Sequence, residues 1–179
     1  MSTSNFREKF GEPAERTRAK VRPYMIEWVQ AFIRQSPFMI LSTSNPAGQC
    51  DASPKGGKPG FVKVLDEHHL LIPDVAGNRL FQSYENVTGN AQVGLLFFIP
   101  GENCTARVNG TVEVVEKEKL AELNIQMEIF NPDDHAKIWQ ALLLTVDEAY
   151  GHCPRALKFS NLWDVETIAH NQANPIGLP

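Results

Sequence analysis

The chain has 179 residues, with 17 Lys and Arg against 21 Asp and Glu (formal charge −4), and 42% of its side chains are hydrophobic. This length suits one domain that buries roughly 70% of its unfolded surface without staples, and the composition excludes bulk disorder. The acidic balance argues against general nucleic-acid binding, and no apolar run approaches the ~20 residues of a membrane-spanning helix. Cys50, Cys104 and Cys153 are odd in number and far apart, with no CxxC spacing, so neither a zinc site nor a disulfide framework is expected. The N-terminus is polar and has no signal-peptide apolar core, which points to the cytoplasm.

Residues 1–16 read as a polar arm, 17–170 as a single domain and 171–179 as a loosely held tail. From Thr17 the pattern turns helical: Met25, Ile26, Val29, Phe32 and Ile33 form one apolar stripe that stops at Ser36-Pro37. Residues 38–43 read as a strand, Asn45-Pro46-Ala47-Gly48 as a turn and 49–53 as the returning strand. The glycine- and proline-rich stretch 54–60 predicts a loop, and 61–65 and 69–73 short strands. A helix is expected over 78–90, with Leu80, Phe81, Tyr84 and Val87 on one side, then strands over 91–99 and 104–115. In the last of these, Ala106, Val108 and Gly110 alternate with Arg107, Asn109 and Thr111. Asn131-Pro132-Asp133-Asp134 has the chemistry of a helix start, so the last third is expected to be helical. Ile138, Leu142, Thr145 and Val146 would be its buried side and Gly151 its stop; a second short helix would cover 155–161.

A parallel βαβ arrangement needs a helix between most strands, which this order does not supply. The fold class expected is mainly β with peripheral helices: a six-stranded antiparallel barrel, closed or half-closed, whose interior is filled by side chains. Any sizeable ligand would then lie on a strand face or between subunits.

No GxSxG, HExxH, P-loop or strand-following GxGxxG occurs. Two basic constellations remain. In Asp51-Ala52-Ser53-Pro54-Lys55-Gly56-Gly57-Lys58, a hydroxyl, cations and glycines at a strand end could cradle a phosphate; a solvated turn is the competing reading. In Pro73-Asp74-Val75-Ala76-Gly77-Asn78-Arg79, a strand runs into a helix start that favours an anion; ordinary capping competes. Arg107 either reaches a polar ligand atom or lies on the wet face of its strand. His152-Cys153 lacks metal-ligand spacing, and His68-His69 is expected at a solvent-exposed turn.

Ser36-Pro37-Phe38-Met39-Ile40-Leu41-Ser42-Thr43, followed by Cys50-Asp51-Ala52-Ser53-Pro54-Lys55-Gly56, resembles the flavin-binding split-barrel superfamily named for pyridoxamine 5′-phosphate oxidase. The likeness continues through Leu71-Ile72-Pro73-Asp74, Gly77-Asn78-Arg79, Val93-Gly94-Leu95-Leu96-Phe97 and Arg107-Val108-Asn109-Gly110. Residues 152–163 resemble the C-terminal segment of an uncharacterised FMN-dependent branch. The resemblance implies a six-stranded Greek-key split barrel, a homodimer with FMN in the groove between subunits, and an oxidoreductase acting on an unidentified small molecule. It assigns Ser53, Lys55, Asn78 and Arg79 to the FMN phosphate, counts Pro54 among the cofactor-binding residues, and gives the backbone of Phe61, Val62 and Lys63 to the flavin edge and Asp74 to the ribityl chain. Arg107 would touch the flavin, and His152, Lys158 and Trp163 would approach from the second subunit. Leu80 stands where the oxidase proper has a second basic residue, and the oxidase's C-terminal Arg/His motif is absent, so a substrate other than pyridoxamine 5′-phosphate is expected. A flavin carrier without a substrate, or a haem- or deazaflavin-binding barrel, is the alternative.

Overall fold

The computed structural model describes residues 4–75, 80–122 and 138–177. The expected Asn78-Arg79 pair and the Asn131-Pro132-Asp133-Asp134 helix start lie outside them. Seven antiparallel strands form one open sheet in the order β2-β1-β5-β6-β7-β4-β3. The strands are β1 (Phe38–Ser44), β2 (Cys50–Gly56), β3 (Lys63–Val64), β4 (His69–Val75), β5 (Gln92–Phe98), β6 (Thr105–Glu116) and β7 (Ile138–His152). The first six are those expected from the sequence. Lys55 and Gly56, expected in a loop, belong to β2 with Pro54. A proline is tolerated there because β2 is an edge strand and owes no amide to a further neighbour.

The seventh strand corrects the sequence reading. Residues 138–152 are not a helix, and Gly151 stops none; β7 pairs with β6 along one edge and with β4 along the other. Leu142, Leu144 and Val146 face the main core, while Ala141 and Leu143 join a second cluster with Leu71, Val115 and Leu120 on the opposite face. Apolar cover on both faces erases the period-2 signal. The resulting run Ala141-Leu142-Leu143-Leu144 also matches a helical stripe. Pairing of both edges decides between them.

Seven helices flank the sheet among the described residues. The expected polar arm contains α1 (Ser4–Phe10), and the helix expected from Thr17 is split into α2 (Glu15–Ala19) and α3 (Glu27–Gln35). Between them Arg22 forms a two-way backbone bridge with Ala149 of β7, for which a helical backbone has no free partners. Val29, Phe32 and Ile33 of α3 enter the core, as their spacing requires. The helix expected over 78–90 is described as α4 (Gln82–Gly89), with Leu80 and Phe81 exposed ahead of it. After β6 comes α5 (Lys117–Glu122). After β7 come α6 (Arg155–Phe159) and α7 (Val165–Ala173), so the expected loose tail is helical to Ala173. The Thr167 amide donates to Asp164 at 2.8 Å and caps α7. No helix among the described residues is long and apolar enough to cross a membrane.

The ion pairs among the described residues all lie between side chains at least 40% exposed. Each contributes at most ~1 kcal/mol, so apolar burial holds the fold. Where β6 and β7 shift register at Asn109/Gly110, a Cβ on Gly110 would meet the Thr145 carbonyl oxygen. Gly110→Ala is therefore expected to lower stability by about 1–3 kcal/mol or more. An unchanged urea midpoint would refute this packing of β6 on β7.

Candidate functional site

Three groups of polar side chains stand where a ligand could reach them. The first is on β2. Alternation puts Asp51, Ser53 and Lys55 on its half-buried face, opposite Thr43, Leu41 and Met39 of β1, while Pro54 is exposed on the other face. The Asn86 side-chain amide of α4 donates to Thr43 Oγ1 at 2.9 Å and to Asp51 Oδ2 at 2.6 Å. Asn90 donates to Ser44 Oγ at 2.8 Å. Asp51 is thus engaged by the helix. Among the described residues neither the Ser53 hydroxyl nor the Lys55 ammonium has a hydrogen-bond or ion-pair partner, and neither is sealed from solvent. A donor hydroxyl and an ammonium two residues apart on one strand face suit the oxygens of an anion.

The stretch after β2 is tied beneath the C-terminal end of α3. The Gly57 amide donates to the Pro37 carbonyl at 3.0 Å and the Phe61 amide to the Lys58 carbonyl at 2.9 Å. Phe61 and Val62 point into the main core at 7% and 1% exposure, so only backbone could reach a ligand there. Lys63 is half-buried and opens β3 opposite Leu71.

The second group closes over the end of β4. Asp74 follows Leu70 and Ile72 on the core-facing side, beside Gln140 of β7, whose amide lies 3.4 Å from Asp74 Oδ2. The Tyr84 phenol of α4 is partly buried near the Asp74 carboxylate. Burial first, and the Asp74 charge second, push the Tyr84 phenol well above the ordinary tyrosine value. Helix α4 is bonded to β1 and β2 through Asn86, and Tyr84 brings it near Asp74 of β4. Asn78 and Arg79, just ahead of it in the chain, lie outside the described residues.

The third group lies on the other face of the sheet. Arg107 of β6 sits between Leu96 of β5 and Tyr150 of β7. Its Nε donates to Asn109 Oδ1 at 3.1 Å and its Nη1 to Tyr150 Oη at 3.2 Å. Asn109 in turn donates to Glu148 Oε1 at 3.1 Å. Ser42, Gly94, Leu96, Arg107, Asn109 and His152 line a recess of about 280 Å³. Partial burial, then the charges of Arg107 and Lys20, hold the His152 imidazole below its ordinary pKa. The structure thus brings Arg107 and His152 of one protomer together. It does not bring Lys158 and Trp163 to that recess: they line a separate depression with Gly101 and Asn103, where Trp163 Nε1 donates to the Glu102 carbonyl at 2.8 Å. No cluster of metal-ligating side chains occurs among the described residues, and all three thiols are free.

The sequence model of the pyridoxamine 5′-phosphate oxidase family matches residues 25–153, from the approach to α3 to the end of β7. The chain belongs to the pyridoxamine 5′-phosphate oxidase family. No protein with a curated description matches it in sequence. A candidate pyridoxamine 5′-phosphate oxidase of Lactobacillus delbrueckii is similar in structure, with TM-score 0.54 and 21% identity over 72% of this chain and 95% of that one. HupZ of Group A Streptococcus gives TM-score 0.52 and 13% identity over 71% and 93%. A Clostridium acetobutylicum protein related to general stress protein 26 gives 0.50 and 16% over 68% and 83%. At these identities the likeness is one of fold, the split barrel of this family.

Sequence reasoning missed Tyr84 and Asn86 as polar ties, and also Lys20, Glu148 and Tyr150. The last two become visible as neighbours of Arg107 only when 138–152 is read as a strand. Nothing local marks Asn86, since its partners lie 35 and 43 residues away.

Truncating Asn86 to Ala strips Thr43 and Asp51 of a buried partner and should cost about 1–3 kcal/mol in chemical denaturation. A change under half that would exclude the tie. In a spectrophotometric pH titration, Tyr84 should ionise well above the ordinary tyrosine value, because burial and the Asp74 charge both disfavour its phenolate. Asp74→Asn should bring it down; a Tyr84→Phe variant that loses its absorbance change in the ordinary tyrosine range would contradict the contact.

Proposed function

We propose that this member of the family is an FMN-dependent oxidoreductase acting on a small organic molecule, with FMN held between two copies of the chain. The observation that carries the reading is the Ser53–Lys55 pair, free and half-buried on an edge strand inside the family-matched region. A phosphate needs such donors, and Asp51 on the same face has its Oδ2 held by Asn86, leaving Ser53 and Lys55 unengaged by it. The residues therefore fit the cofactor.

In this reading Ser53 and Lys55, with the backbone at Pro54 and with Asn78 and Arg79, hold the phosphate. The backbone of Phe61, Val62 and Lys63 meets the ring edge, and Asp74 meets the ribityl chain. Arg107 and His152 share a recess, so whichever subunit brings one to a ring brings both. Lys158 and Trp163 would come from the partner. FMN when bound supplies hydride or electron transfer, leaving the chain to orient the ring and substrate and to exclude water.

Pairing of two copies is supported by α6 and α7, which bury no side chain in their own protomer and leave Phe159 and Val165 75% and 78% exposed. A subunit interface would cover such side chains. Three unpaired thiols fit the reducing cytoplasm.

Charge-assisted phosphate contacts contribute ~1.5–3 kcal/mol each. Lys55→Ala combined with Arg79→Ala should therefore weaken FMN binding by at least a hundredfold while sparing riboflavin, read by fluorescence quenching. Equal losses for both ligands would overturn the phosphate assignment. Light scattering of the FMN-loaded protein should give twice the 20.0 kDa chain mass; a flavin-loaded monomer would remove the intersubunit site. Anaerobic bleaching by NAD(P)H separates an enzyme from a carrier. Colourless protein that takes up haem or a deazaflavin instead of FMN would replace the reading.

A further inference from the structure

Lys20, Arg107 and His152 come from three parts of the chain and meet around the ring of Tyr150. Lys20 Nζ lies 5.0 Å and Arg107 Cζ 5.7 Å from that ring's centroid, and the His152 ring lies 4.9 Å away. Lys20 is delivered there by the Arg22–Ala149 bridge, which lays the N-terminal segment along the β7 edge, and it donates to the Gly151 carbonyl at 3.4 Å.

Among the described residues neither cation has an ion-pair partner. Arg107 spends Nε and Nη1 on neutral acceptors, the Asn109 amide oxygen and the Tyr150 hydroxyl. The nearest carboxylate in this network, Glu148, is held one residue further off by the other end of the Asn109 amide. Lys20 and Arg107 less Glu148 leave one net positive charge. His152, held below its ordinary pKa by burial and by both cations, adds a neutral N–H or lone pair instead of a further charge. Beside this charge the recess offers Leu96 and the bare backbone of Gly94, where a Cβ would approach Asn109 Oδ1 to 3.3 Å.

One uncompensated positive charge, a neutral imidazole and an apolar floor match a monoanion carrying a small hydrocarbon part. We propose that Lys20, Arg107 and His152 seat the carboxylate of a small organic acid, whose carbon skeleton lies in the recess over Gly94 and Leu96. Calling that acid the substrate rests on the flavoenzyme reading above; the anion subsite itself does not.

Benzoate is a suitable probe, titrated into the FMN-loaded protein while the His152 ring signals are followed by NMR. A saturable shift is expected, with the dissociation constant raised at least tenfold in Lys20→Met and in Arg107→Gln. Lys20→Met should still take up FMN, because Lys20 is outside the residues assigned to the cofactor. Benzamide, the neutral isostere, should not bind. Three results would overturn the proposal: no saturable shift, benzamide binding as well as benzoate, or Lys20→Met binding benzoate as the native protein does. Inorganic phosphate binding more tightly than benzoate would overturn the carboxylate assignment, and loss of benzoate binding when FMN is added to apoprotein would give the cations to the cofactor. Protein that takes up no FMN yet shows the full benzoate pattern would sink the flavoenzyme reading and leave the subsite standing.

Discussion

Among the described residues, strand β7 is the link in the strand order between β2-β1-β5-β6 on one side and β4-β3 on the other. Its twofold pairing makes one sheet of what would otherwise be two. A short two-stranded ribbon is marginal by itself, so β3 and β4 depend on this docking. The fully buried Leu144, at 0% exposure, shows how strongly the position is held; removing such a side chain from a core costs about 2–5 kcal/mol. The same strand carries Gln140 to Asp74 at one end and Glu148, Tyr150 and His152 to Arg107 at the other. Packing and candidate chemistry therefore share one backbone element.

Helix α4 makes the second connection. Through Tyr84 it reaches Asp74 on β4, and through Asn86 it reaches Thr43 and Asp51 on β1 and β2. The Asn86 amide bonds the helix to the β2-β1 wing, and Tyr84 brings it near Asp74 in the other wing. Such bonds add modest net stability when made but are costly to leave half-made. The bond to Asp51 also holds that carboxylate toward the helix, while Ser53 and Lys55 on the same strand face stay unengaged.

Much of the scaffold was legible locally. The stripe Val29, Phe32 and Ile33, the stop at Ser36-Pro37, the Asn45–Gly48 turn and the two faces of β6 all follow from short-range rules of period and turn chemistry, and the structure has them. Of the candidate site, the face of Arg107 follows from alternation along β6, whereas the face shared by Ser53 and Lys55 emerges only because β2 runs on through Pro54 into the expected loop. What was not legible has a common cause. A strand covered on both faces loses its alternation, so β7 passed for a helix, and with it the company that Tyr150, Glu148 and His152 keep with Arg107 was hidden. Lys20 was hidden in another way: its neighbours depend on a bridge between residues 22 and 149.

By itself the sequence determined the mainly antiparallel class, the existence of the first six strands, the core-facing stripe of α3 and the family resemblance, because these depend on periodicities within about ten residues. The tertiary structure alone decided the seventh strand, the buried ties of α4 and the gathering of two cations and a histidine around one tyrosine ring. Those depend on edge pairing and on contacts between residues 35 to 131 positions apart, where local preference is silent and the free energy of docking chooses.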